Sequence, residues 1–164
     1  MNSKATRWLS VFLTVVVIFL SVCDIAIVCS SPFWLSTLYK SNFAGLRVML
    51  GYNYALTGVI YPLMLTFFII SGLFCLGILA AAYRILKRIL KDSPFCVGNA
   101  VSLRNASFCS FGLFLVFMLK MLFSPSILTF VCGGMFLLFG LFVMVISQLV
   151  RVATQIKEEN DLTI

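Results

Sequence analysis

Four apolar runs, each long enough to cross a bilayer, constrain this chain more than anything else in it. A spanning helix needs about 20 mostly apolar residues, and residues about 8–28, 56–83, 102–123 and 127–150 meet that requirement. The fourth run carries no charge, and Arg104 and Lys120 bracket the third. Composition agrees: 62% of the 164 residues are hydrophobic and only 10% are charged. A soluble domain has roughly a quarter of its residues charged, so this chain cannot cover a water-exposed surface. A soluble globule, a disordered tail and a disulfide-stapled secreted module are thereby excluded. The reading is an all-α membrane protein, a single domain of four transmembrane helices in a bundle. Ser124-Pro125-Ser126 leaves room only for a tight turn, because proline cannot continue a helix, so the last two helices should form a hairpin.

Lys and Arg set the orientation, since their excess marks the cytoplasmic side. Lys4, Arg7, Arg84, Lys87, Arg88, Lys91, Arg104, Arg151 and Lys157 fall on one side; Lys40, Arg47 and Lys120 fall on the other. The N- and C-termini are therefore expected in the cytoplasm, as part of a multi-pass protein of the cell membrane. The rival reading of the N-terminus is a secretory signal. Ser30 and Ser31 would suit cleavage, but the apolar stretch before them is long, and valine rather than a small residue precedes both Cys23 and Cys29. An uncleaved first span is preferred.

The depth of the ionisable residues bears on mechanism, because a charge at the bilayer centre costs at least about 2.5–3.5 kcal/mol and usually marks function. Asp24 lies about 25 Å beyond Arg7 at roughly 1.5 Å per residue, which predicts a position near the outer interface. Arg104 and Lys120 are about 24 Å apart by the same rise, so both are expected to snorkel to opposite interfaces. On this reading no charge sits at mid-membrane, and a proton-coupled transporter loses support.

Small residues recur in the spans. Gly77 with Ala81, and Ala106 with Ser110, have the spacing that lets helices approach closely. Packing within one bundle is the plain reading, and a homodimer face is the sharper one. The cysteines are at 23, 29, 75, 96, 109 and 132, with none in the external loop from Ser31 to Ala55. No CxxC occurs and histidine is absent, which argues against a metal site or any cofactor. Cys96, beside basic residues, is a candidate for palmitoylation. The external loop is aromatic, with Phe33, Trp34, Tyr39, Phe43, Tyr52 and Tyr54, and such rings favour the headgroup level.

Residues 84–101 form the expected cytoplasmic loop. Arg84, Lys87, Arg88 and Lys91 are spaced at i, i+3, i+4 and i+7, with Ile85, Leu86, Ile89 and Leu90 opposite. This is an amphipathic helix extending the second span onto the anionic lipids of the inner leaflet. It offers no stacking aromatics, so direct nucleic-acid binding is not expected. Pro94 ends that helix, and Asn99 is placed to cap the third. After the fourth span, Leu149, Val152, Ala153 and Ile156 keep helical spacing, and residues 151–164 read as a short stalk with an acidic free tail. A salt contact between tail and loop would be worth about 0–1 kcal/mol.

Pro94-Phe95, Asn99 and Leu103-Arg104, together with the ending Glu158-Glu159-Asn160-Asp161-Leu162-Thr163-Ile164, resemble the loop and tail of the bacterial domain of unknown function family 2975. Gly98 departs from that pattern, standing where the family usually carries glutamate. The resemblance implies a small four-span membrane protein without assigned activity, often encoded beside a small helix-turn-helix regulator of the Cro/repressor type. It further implies that Pro94, Phe95, Asn99, Leu103, Arg104 and the last seven residues form a face that binds such a regulator. A regulatory or interaction protein is accordingly the leading reading. The alternatives are a small transporter or permease subunit and an immunity protein against a membrane-active peptide. A membrane enzyme is not expected, because no histidine or plausible nucleophile–base set is present.

Overall fold

A computed structural model describes residues 3–40, 57–90, 96–123 and 125–161. Among the described residues there are four helices: α1 (Ser3–Lys40), α2 (Thr57–Leu90), α3 (Val97–Phe123) and α4 (Ile127–Asp161). Each contains a stretch long and apolar enough to span a membrane: Trp8–Phe33, Tyr61–Leu90, Val97–Leu122 and Ile127–Lys157. The helices outrun the expected spans at several ends. α1 continues through Ser30 and Ser31 to Lys40, where a loop was expected. α3 begins at Val97 rather than 102, and α4 keeps its helix through most of the stretch expected to be a free tail.

Continuing α1 past Pro32 requires a local repair. Proline has no N–H to donate to the carbonyl four residues back, which here belongs to Val28. The Ser31 hydroxyl donates to that carbonyl instead, at 2.7 Å. Most other hydroxyls in α1 and α2 likewise donate to a carbonyl three or four residues back: Thr14 to Ser10, Ser21 to Val17 and Thr66 to Pro62. A hydroxyl satisfied within its own helix can face lipid without exposing an unpaired group.

Among the described residues, extensive packing joins only consecutive helices, α1 to α2, α2 to α3 and α3 to α4. The expected bundle is thus a file of neighbours, with α1 on its flank. Most of the large apolar side chains of α1 are exposed, including Trp8, Phe12 and Phe19, as befits a helix wrapped mainly by lipid. Its seam with α2 centres on Leu35 and Met64, packed by Tyr61, Leu65 and Phe68. Val28 fills the space left by Gly72, where a Cβ would stand 2.3 Å from the valine Cγ2. The Tyr61 hydroxyl donates to the Pro32 carbonyl at 3.2 Å and fixes the same register.

The remaining helices join through small residues, edge-on aromatics and hydroxyls. Ala81, Ala106 and Val143 form one buried cluster with Leu103 against it. Phe67 meets Phe117 edge-on at 5.2 Å, and Phe117 meets Phe136 at 5.5 Å, linking α2, α3 and α4. The predicted hairpin of α3 and α4 is present, and Ser126 takes the position before α4, its carbonyl accepting the Phe130 N–H. Three α3–α4 bonds reinforce it: Ser107 to the Gly140 carbonyl, Ser110 to the Phe136 carbonyl and Ser147 to the Ala100 carbonyl, each 2.7 Å. The pairs Gly77/Ala81 and Ala106/Ser110 are spent here, between helices of one chain.

Candidate functional site at the basic end of the helices

The last turns of α2 carry Arg84, Lys87 and Arg88 on a helix that continues straight out of the apolar segment. Arg84 and Lys87 are exposed, as an anchor to anionic lipid requires. Arg88 departs from the expected set: half-buried, it turns onto the first turn of α3. Its Nη1 donates to the Gly98 carbonyl, to the Ser102 hydroxyl at 2.9 Å and toward Asn99 Oδ1 at 3.4 Å. Lys91 lies outside the described residues.

Gly98 permits this approach. A Cβ there would lie 2.8 Å from the Arg88 Cζ and 3.0 Å from both terminal nitrogens. A glycine here therefore lets the guanidinium approach the α3 backbone closely. Asn99, expected as the cap, is instead within the first turn: its N–H donates to the Cys96 carbonyl at 2.9 Å, and Cys96 occupies the position before the helix. The Asn99 side chain is 3% exposed, sealed between α2 and α3.

The same turn is held from its other side. Ser147 of α4 donates to Ala100, the residue after Asn99. α2, α3 and α4 are thus tied together within one turn of α3, a polar clasp above the apolar cluster of Ala81, Ala106 and Val143. Leu103 packs against that cluster, whereas Arg104 is exposed. Pro94 and Phe95 lie outside the described residues.

From the clasp, α4 runs on to Asp161, about 21 Å beyond Ser147 at roughly 1.5 Å per residue. Arg151, Lys157 and Glu159 are exposed along it, and Thr154 is buried. Glu158, Asn160 and Asp161 belong to the helix by their backbone, while Leu162, Thr163 and Ile164 lie outside the described residues. The structure therefore brings Asn99 into the clasp and Leu103 onto the apolar cluster beneath it, and leaves Arg104, Arg151, Lys157 and Glu159 exposed.

Asp24 is deeper than its spacing along the chain predicted, and Lys120 is enclosed by neighbouring side chains. The Asp24 carboxylate lies beside Gly72, its Oδ1 3.8 Å from where a Cβ on that glycine would be. Gly72 is about 16 Å along α2 from Tyr61 and about 18 Å from Arg84, which puts Asp24 midway between the two ends rather than near the outer interface. Its Oδ2 is buried and accepts no hydrogen bond among the described residues. Lys120 does not reach straight outward: it is half-buried, its Nζ 3.3 Å from the Thr129 hydroxyl and 4.9 Å from the centroid of the Phe67 ring. Cation–π contact and a hydroxyl acceptor replace part of the lost hydration.

Sequence reasoning did not single out Gly72, Ser102, Ser107 or Ser147 for these roles. A polar side chain recurring at helical spacing inside an apolar run was the available signal for the serines; for Gly72 there was none, because its role depends on Val28 in another helix. Among the described residues no three His, Cys, Asp or Glu side chains converge.

The family described as "Protein of unknown function (DUF2975)" matches residues 2–164. No curated protein and no solved structure matches the chain.

Proposed function

The chain belongs to the DUF2975 family of proteins of unknown function, and on that footing we propose that it is a regulatory interaction protein of the cell membrane. In this reading its basic end and both termini face the cytoplasm, and the face built from the 94–104 segment and the end of α4 captures a small helix-turn-helix transcription regulator. Arg84, Lys87 and Lys91 hold that end against anionic lipid, and the regulator rather than this chain contacts nucleic acid. The observation that carries the reading is the clasp: Arg88 and Ser147 fix α2 and α4 to one turn of α3, so the α4 extension starts from a rigid base. A binding face ordered beforehand loses less conformational freedom on association.

The test is capture of the regulator encoded beside this protein, using detergent-solubilised full-length chain and a chain lacking Glu158–Ile164. Capture by the full chain and at least tenfold less by the truncated one supports the reading. Equal capture removes the tail from the face, and no capture by either removes the regulator. A reporter fused after Ile164 that works only outside the cytoplasm would reverse the orientation.

Asp24 favours a second reading, a small transporter or permease subunit. A carboxylate at mid-membrane is costly and is usually kept for a proton or cation, and here Oδ2 has no protein partner among the described residues. Vesicles containing the protein and an internal pH dye test it: an Asp24-dependent flux supports transport, and identical traces with Asp24→Asn remove it.

A further inference from the structure

Along α4, the face turned away from α3 carries a second stripe. Beginning at Leu128 and stepping alternately by three and four residues, it passes through Leu138 and Val145 to Ile156, and every side chain on it is at least half exposed. The stripe packed on α3, including Thr129, Gly140 and Ser147, keeps the same rhythm on the other side. Alternating threes and fours give a 3.5-residue period, which holds one face toward a partner in a left-handed coiled coil. Inside the bilayer an apolar stripe is simply solvated by lipid. Beyond it, that explanation fails.

Ser147 is level with the first turn of α3. Val152 and Ile156 lie about 8 and 14 Å farther out, on a helix that continues straight past Arg151. They are 52% and 53% exposed, and Leu149 at the boundary is 64% exposed. The 20 residues from Ile127 to Ser147 already cover about 30 Å at roughly 1.5 Å per residue, the thickness of a hydrocarbon core, yet the stripe continues past them without a break. The residues flanking it here, Gln148, Ala153 and Gln155, are uncharged, so two identical faces would meet without like-charge repulsion.

Gly134 supplies an independent observation. A Cβ on Gly72, Gly77, Gly98, Gly112, Gly133 or Gly140 would come within 3.1 Å of a side chain, whereas at Gly134 it would meet nothing within 4 Å among the described residues. A glycine inside a helix is about 1 kcal/mol less favourable than alanine, and no contact among the described residues accounts for this one. It flanks the stripe between Val131 and Leu138, where an approaching helix would need the room.

We infer that α4 pairs in parallel with α4 of a second copy of this chain, through the stripe from Leu128 to Ile156 with Gly134 beside it. The pairing continues from the membrane into the aqueous stalk and does not depend on the regulator reading. Two measurements test it. In membranes, the chain with its native cysteines replaced by alanine receives one cysteine at a time and is oxidised: Val152→Cys and Ile156→Cys should give a disulfide-linked dimer at several times the yield of Arg151→Cys and Lys157→Cys. Equal yields at all four positions, or adducts of another mass, overturn the inference. In detergent, the native chain should sediment as a dimer, and Val152→Glu with Ile156→Glu should raise the dissociation constant at least tenfold. A monomeric native chain, or a dimer indifferent to both glutamates, overturns it as well.

Discussion

Replacing Arg88 by methionine keeps the length and most of the apolar stem while removing the charge and all donors. Its Nη1 reaches the Gly98 carbonyl and, at 2.9 Å, the Ser102 hydroxyl; the contact to Asn99 Oδ1 at 3.4 Å is too long to count for much. Hydrogen bonds involving a charged partner contribute about 1.5–3 kcal/mol net. The side chain is half-buried at the edge of the apolar segment, so the lower end of that range applies to each of the two good bonds. Ser102 also donates to the Gly98 carbonyl at 3.0 Å, so those acceptors keep one another after Arg88 is lost, which trims the cost. The expected loss is about 2–3 kcal/mol. Reversible unfolding in mixed micelles, followed by helicity, measures it. A cycle with Ser102→Ala then isolates the shared bond: the two changes together should cost about 1 kcal/mol less than their separate losses added. A loss below about 0.5 kcal/mol for Arg88→Met, or full additivity with Ser102→Ala, would refute the clasp as an energetic unit.

Three further outcomes are expected from the same assay. Ser107→Ala, Ser110→Ala and Ser147→Ala should each cost about 0.6 kcal/mol, the average for hydroxyl and amide bonds between helices in membranes, and the triple variant about three times as much; a triple variant no weaker than one single would show that the bonds contribute nothing between α3 and α4. Gly72→Ala forces its methyl onto Val28 and should cost about 1–3 kcal/mol, with Val28→Ala restoring much of the loss; failure of that rescue would move the fault elsewhere. Asp24→Leu should stabilise the protein by on the order of 2 kcal/mol, because it relieves a mid-membrane carboxylate. Destabilisation instead would reveal that the carboxylate has a partner.

The four spans and the α3–α4 hairpin were legible because lipid imposes a length on apolar runs and proline imposes a turn. Depth was not legible in the same way. Counting from Arg7 measures distance along α1, but the bilayer level of Asp24 depends on how α1 slides against α2. That slide is set by Val28 in the notch at Gly72 and by the bond from Tyr61 to Pro32. Likewise the spacing of Arg84, Lys87, Arg88 and Lys91 identified an amphipathic turn but could not separate Arg88 from its neighbours. Only the approach of Gly98 on the next helix distinguishes it. The extent of α4 was underestimated for a different reason. The helical spacing of Leu149, Val152, Ala153 and Ile156 identified the stalk, but the acidic segment after it reads as a free tail, although nothing in residues 158–161 breaks a helix already nucleated in the membrane.

The consecutive packing of the helices has a consequence for how the protein is made. Among the described residues, every extensive interface lies between a helix and the one synthesised just before it. As each span leaves the ribosome, its only large partner is already in the bilayer, so no helix must wait for a distant one or be displaced to admit it. Contacts between chain neighbours close quickly, and assembly can follow the order of synthesis, with α4 last and its three serine-mediated bonds sealing the hairpin. α1 behaves differently. It is the first to insert and the least enclosed, and until α2 arrives its Asp24 must be accommodated in lipid alone. Insertion of α1 should therefore be the slow and error-prone step, and the carboxylate at its middle sets how long the nascent chain can tolerate it.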